Sequence, residues 1–305
     1  MTSKINNSSK AQKYSALVTE QNNPRTSNID RISLKEVLLK LNYEDSLIAK
    51  AVKKSIPQIE KAAKILSKTH LSGGRIFFMG AGTSGRLGVL EAAELAPTFG
   101  VEPKNFIPIM AGGKYAVFLS KEGAEDIFKN GYNEIFKKIK PQDMLVGIAA
   151  SGITPYVQGG IQAANKKGAK TALITLNFKD KTSQADIVIS ANIGPEPIAG
   201  STRMKSGTAT KLMLNMLSTS AMIISGKVYK NWMVDVKPTS QKLILRAQRI
   251  TAFLGKIPEN EAKKLLNKTA YNVKTAIIMA RLKIDLKKAE TLLKEHEGFL
   301  KNIIE

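Results

Sequence analysis

A chain of 305 residues with 43% hydrophobic side chains is long enough to bury one large core or two smaller ones. It has no cysteine and two histidines, which excludes disulfides, thiol nucleophiles and Cys-zinc sites and argues against a multi-histidine metal centre. The net charge of +22 comes from 47 basic residues of which eight are arginine, with aromatics at 6%; that balance argues for a solvated lysine surface attractive to small anions, not for nucleic-acid recognition.

Residues 1–30 are rich in Asn, Ser and Lys and read as a polar arm with little order of its own. No apolar segment follows it, so no secretory signal is expected, and the lack of cysteine suits a reducing, cytoplasmic setting. Ser33-Leu-Lys-Glu36 is a capping box that opens a helix. A further helical pattern covers roughly 44–69 and contains Pro57, a residue that interrupts helices. Apolar strand-like runs then follow at Ile76–Met79, Phe106–Met110, Met144–Ala150, Thr171–Leu176 and Ile187–Ala191. Helical runs alternate with them at 84–95, 115–138, 154–167 and 206–225, which predicts an α/β fold with a parallel sheet covered on both faces. The most apolar run, 212–225, is too short and too polar for a membrane span and reads as a buried helix. From about 239 onward the pattern is helical and lysine-rich, broken near Gly255–Pro258 and Leu282–Asp285.

Three loops carry the chemistry. Gly80-Ala-Gly82-Thr-Ser-Gly85 follows the first strand and fits the dinucleotide fingerprint, because a glycine turn at a helix N-terminus offers free N–H groups to a phosphate. The acidic residue that holds a nicotinamide ribose is missing from the end of the second strand, which runs into Ala111-Gly112-Gly113. Thr83, Ser84 and Arg86 suit a terminal phosphate monoester better than a bridging pyrophosphate. After the third strand, Ser151, Gly152 and Thr154 repeat the design, with Pro155 at a first helical position. Either loop alone reads equally as a helix cap; two such loops in one sheet favour a phosphate site. A third segment, Gly200 to Thr208, again sets Ser201, Thr202, Arg203 and Lys205 before a helix, as a capped entry or a clamp.

Taken together, GAGTSGRLGVLEAAELAPTFG, AGGKYAVFLSKEGAED, GIAASGITPYV, GSTRMKSGTATKLMLNMLST and GKVYKNWMVDVKPTSQKL make the chain resemble the N-acetylmuramic acid 6-phosphate etherase family, within the sugar-isomerase (SIS) superfamily. The resemblance runs from Thr19-Glu20 to about residue 250. It implies a three-layer SIS domain over 31–250, a small helical domain over 251–305 similar to ubiquitin-associated folds, and a homodimer. It implies a phosphorylated amino sugar as substrate, with N-acetylglucosamine 6-phosphate and D-lactate as products, and neither cofactor nor metal. Matching the family's motifs places its two catalytic glutamates on Glu94 and Glu125, and its substrate loops on Gly82, Thr83, Ser84, Gly85, Arg86, Ser151, Gly152, Thr154, Ser201, Thr202, Arg203 and Lys205. Three departures stand out: Ile153 where the family has arginine, ELAPT for ECPPT, and Leu176-Asn177-Phe178 for CNP. Glu122 and Asp126 rival Glu125, since on a helix they would share its side. Two other readings are a sugar-phosphate isomerase and a non-catalytic sugar-phosphate sensor on the same fold.

Helix geometry adds one expectation. Glu94 stands ten residues beyond Ser84, about 15 Å along a helix axis. A hexose cannot bridge both, so Glu94 is expected to serve the site of the other subunit.

Overall fold

A computed structural model describes residue 15 and residues 17–177 and 183–305. The remainder of the polar arm, and Phe178 among the family departures, lie outside the described residues. The chain divides into two compact units: Met1–Glu91 with Ile107–Leu217, and Ala92–Phe106 with Ser218–Glu305.

In the first unit, α1 (Leu34–Ser46) begins at the expected capping box: the Ser33 side chain accepts from the Glu36 N–H, and Glu36 accepts from the Ser33 N–H. The helical pattern over 44–69, with its interruption expected at Pro57, is divided into the end of α1, α2 (Ile48–Lys53) and α3 (Ile56–Leu71), the last break falling just before that proline. Pro57 sits in the first turn of α3, where its missing N–H leaves no bond unmade.

Among the described residues the sheet has five strands: β1 (Ile76–Gly80), β2 (Phe106–Met110), β3 (Met144–Ile148), β4 (Lys170–Thr175) and β5 (Ile187–Ser190). Their spatial order is β2-β1-β3-β4-β5, and the β1–β3, β3–β4 and β4–β5 pairs are parallel. Every residue of β1 and β3 is buried, as uniformly apolar strands require when both faces are covered. Phe77, Met79, Leu145 and Leu173 join one core cluster with Ile135 of α5 (Phe128–Lys138) and with Val157 and Ile161 of α6 (Pro155–Lys166). On the other side α3 packs along β1, β3 and β5. There Gly88 of α4 (Gly82–Phe99) lies so close to Phe78 and Ile148 that an added Cβ would stand 3.2 Å from both.

The run 115–138 was expected as one helix and is not. A short 3-10 turn, Lys114–Val117, gives way to a loop, a second turn at Ala124–Asp126 and then α5. Gly123 at φ +76 makes the break, a left-handed conformation that favours glycine. Part of the polar arm is also built into the fold: Thr19, Asn23 and Thr26 are buried.

In the second unit, residues 229–304 gather around one apolar core that includes Val234, Ile250, Leu266, Ile277 and Ala289. Its helices α8 (Gln241–Gly255), α9 (Glu259–Lys268), α10 (Val273–Leu282) and α11 (Leu286–Glu295) break at the two places where the sequence breaks and at a third, 269–272, that the pattern did not reveal, where Ala270 and Tyr271 take positive φ. Lys256 and Lys283 end α8 and α10 in left-handed conformations. Helix α7 (Lys205–Ile224) carries the most apolar run, with Met213, Leu214, Leu217 and Met222 fully buried. Among the described residues no helix is long and apolar enough to cross a membrane.

Candidate sugar-phosphate site

The chain steps from β1 outward to β2 and then back across β1 to β3, so the topology reverses between β1 and β3. Ligands of open α/β sheets bind in the crevice that such a reversal opens at the carboxyl ends of the strands. A cleft of about 460 Å³ lies there, lined by the loops after β1 and β3.

Gly82, Thr83, Ser84 and Arg86 line it from the first loop. Gly85 is buried beneath them, and a Cβ there would stand 2.8 Å from the Gly80 carbonyl oxygen, so the loop needs glycine for α4 to start this close to β1. The first N–H groups of α4 have no carbonyl a turn earlier to bond and face the end of the helix, where an anion is favoured. The Arg86 guanidinium donates to the Ala116 and Val117 carbonyls at 2.9 and 2.8 Å. It therefore braces the 114–117 turn while it lines the cleft.

Ser151 and Thr154 line the cleft from the second loop, their hydroxyl oxygens 3.5 Å apart. Thr154 is the N-cap of α6, yet its side chain caps no backbone N–H. The Thr154 side chain thus does not cap α6, and its hydroxyl meets that of Ser151 at the cleft. Gly152 is buried at φ +77, and the Asn177 side chain donates to the Ser151 carbonyl at 3.0 Å, which fixes the loop.

The third segment divides. Thr202 and Gly200 line the cleft, whereas Ser201, Arg203 and Lys205 are not among its lining residues. Lys205 is fully buried: its ammonium donates to Glu44 at 2.6 Å and to the Pro195 carbonyl at 3.0 Å. Glu196 accepts from the Lys205 and Ser206 N–H groups at 2.9 and 2.8 Å and caps α7, so this helix end is already satisfied. Arg203 is exposed.

Glu125 is half-buried in the 124–126 turn and lines the cleft, as does Glu122. The two come together through a loop, not along a helix face as the spacing suggested. Glu94 is an exposed residue of α4 in the part of that helix assigned to the second unit. Ile153 faces a different and smaller hollow beside Phe128 and Gln158. The cations that line the cleft are Arg86 and Lys121.

Four polar lining residues were not singled out from the sequence: Thr19, Glu20, Ser120 and Lys121. Only the start of the family resemblance, at Thr19-Glu20, gave a signal for the first two.

A family model described as the glucokinase regulatory protein N-terminal SIS domain matches residues 58–165, a span that contains both hydroxyl loops. The chain is 44% identical over 291 residues to an N-acetylmuramic acid 6-phosphate etherase from Salmonella typhi, covering 95% of this chain and 98% of that one. It is 46% identical over 289 residues to the protein of the same name from Clostridium botulinum, covering 93% and 95%. Among solved structures, a phosphoheptose isomerase from Neisseria gonorrhoeae aligns over 62% of this chain at 17% identity with a TM-score of 0.45.

Proposed function

The chain belongs to the N-acetylmuramic acid 6-phosphate etherase family, and from that membership we propose how its cleft works. It cleaves the lactyl ether of N-acetylmuramic acid 6-phosphate to give N-acetylglucosamine 6-phosphate and D-lactate. The observation that carries this reading is near-full-length identity of 44–46% to proteins of that name. In this reading residues 31–250 form the sugar-phosphate domain and 251–305 a small helical domain, and the enzyme works in the cytoplasm as a homodimer.

The phosphate monoester is held by the N–H groups at the start of α4 and by the hydroxyls of Thr83, Ser84, Ser151 and Thr154. An alkoxide is a poor leaving group, so the ether does not break unaided. In the open-chain sugar the C1 carbonyl acidifies the C2–H. A base removes that proton, the C2–C3 double bond forms, and the C3–O bond breaks as an acid protonates the departing lactate oxygen. Water then adds at C3 and a proton returns to C2, so the sum is ether plus water to alcohol plus lactate. These steps are a lyase sequence that asks for an acid, a base and a fixed substrate, with no cofactor. Glu125 handles the C2 proton, and Glu94 protonates the lactate oxygen and then activates water; different surroundings let two glutamates take opposite roles. Since Glu94 is about 15 Å along α4 from Ser84, it serves the site of the partner subunit.

Incubating the protein with N-acetylmuramic acid 6-phosphate and measuring D-lactate tests the reaction. Lactate in step with N-acetylglucosamine 6-phosphate is expected. Ketose formation would replace the etherase by an isomerase, and binding without turnover would replace it by a sensor.

A further inference from the structure

The cleft has a wall that the three loops do not explain. It is made by Leu17, Thr19 and Glu20, at the start of a segment, residues 17–26, that is laid against residues 195–202. The Gly200 N–H donates to the Thr19 carbonyl at 2.9 Å, the Asn23 side chain to the Pro195 carbonyl at 3.3 Å, and the Thr26 hydroxyl to the Pro197 carbonyl at 2.8 Å. Arg25 and Lys205 both bond the same buried carboxylate, Glu44. A segment whose composition suggests no order is therefore fixed at four places on one side of the cleft.

What this wall presents to the cleft is a carboxylate. Glu20 ends the short 3-10 turn Val18–Glu20, is exposed, and lines the cleft together with Leu17 and Thr19. The Thr19 hydroxyl donates to Glu20 Oε1 at 3.4 Å. The other oxygen, Oε2, lies over Gly200, where an added Cβ would stand 3.1 Å from it. Gly200 has φ +78, so glycine here answers both the backbone conformation and the space the carboxylate occupies.

We propose that Glu20 is a substrate-binding carboxylate that accepts hydrogen bonds from the hydroxyl or amide N–H donors of the sugar. The assignment rests on the etherase reading for its choice of sugar. Its physical basis is charge sorting within one cleft. An ionised carboxylate accepts hydrogen bonds and donates none, and it repels a phosphate dianion. Hydroxyls and helix N–H groups do the opposite, since they donate to phosphate oxygens. The phosphate therefore sits against the loops after β1 and β3, and the uncharged donor-rich body of the sugar turns toward Glu20. Thr19 and Gly200 are the positioning residues that orient the carboxylate.

Calorimetric binding of two probes, inorganic phosphate and N-acetylglucosamine 6-phosphate, separates this role from a structural one and does not depend on turnover. Glu20→Gln keeps the size of the side chain and removes the charge. It should weaken the sugar phosphate about tenfold or more, as expected for losing hydrogen bonds to a charged group, while phosphate affinity does not fall, since a repulsive charge has been removed, and the melting temperature is unchanged. Glu20→Asp should recover part of the loss. Unchanged sugar-phosphate affinity in Glu20→Gln would overturn the assignment. So would a parallel loss for both probes, which would mean that Glu20 only holds the wall in shape. A wild-type protein that binds the sugar phosphate no more tightly than phosphate would overturn it as well. Failure of wild-type lactate release, with the two-probe difference intact, would sink the etherase reading and leave Glu20 in place.

Discussion

Lys205 shows how far a side chain's role can lie from its local sequence. In the stretch GSTRMKSG a lysine beside hydroxyls reads as a cation for an anionic substrate. Its partner is instead Glu44, 161 residues earlier, and both side chains are fully buried. Burial pushes the Glu44 carboxyl up, but hydrogen bonds from Arg25 and Lys205, with the Lys205 charge, overcome that and hold it at about 2. A carboxyl held below its unfolded value stabilises the fold above that value, roughly 4.3, and the contribution is lost as pH falls toward 2. Glu44→Gln should therefore flatten the acid limb of a stability curve measured between pH 5 and 2. At neutral pH it should cost about 3–5 kcal/mol, because Lys205 is left as an uncompensated buried charge. Replacing both residues, Glu44→Met with Lys205→Met, should recover much of that loss in urea melts. A double variant no more stable than Glu44→Gln alone would show that the pair is not what the buried charges are balancing.

At the level of elements, the strands are legible because each is a short apolar run with turn residues on both sides, and the parallel sheet follows from their alternation with helices. The run 115–138 is not legible in that way. It contains no proline, and its break depends on Gly123 adopting a left-handed backbone, which a helical periodicity does not reveal. That break matters, since it brings Glu122 and Glu125 to the cleft through a loop. The loop after β1 was legible as a tight glycine turn for a reason the structure makes concrete. Gly80 and Gly85 face each other so closely that a Cβ on Gly85 would stand 2.8 Å from the Gly80 oxygen and 3.1 Å from the Met110 side chain. Backbone cannot yield as a flexible side chain does, so Gly85→Ala should displace the first turn of α4. Phosphate affinity should then fall at least tenfold, a loss of about 1.4 kcal/mol, with a clear drop in melting temperature. Unchanged phosphate binding in a folded Gly85→Ala protein would place the anion elsewhere.

For the whole molecule, the charge of +22 makes the surroundings of the cleft favourable to a phosphorylated sugar at long range, though salt screens such a field within about 10 Å. Specificity must come from groups in contact, and here the assembly enters. In the function proposed above, the phosphate-holding residues and Glu94 lie on one helix, Ser84 and Glu94 ten residues apart, so a single subunit would offer a bound hexose one of them and not the other. In the proposed homodimer, two subunits related by a two-fold axis would exchange these ends, each cleft receiving the partner's Glu94. In a homodimer Glu94→Gln should abolish lactate release, and Ser84→Ala should lower it about tenfold or more at substrate levels well below saturation. A purified hybrid of one Glu94→Gln and one Ser84→Ala subunit keeps an intact Ser84 on the first and an intact Glu94 on the second. It therefore contains one complete site and should run at about half the wild-type rate. If each subunit were self-sufficient, both sites of that hybrid would be impaired, and verified hybrids would run no faster than half the rate of the Ser84→Ala homodimer.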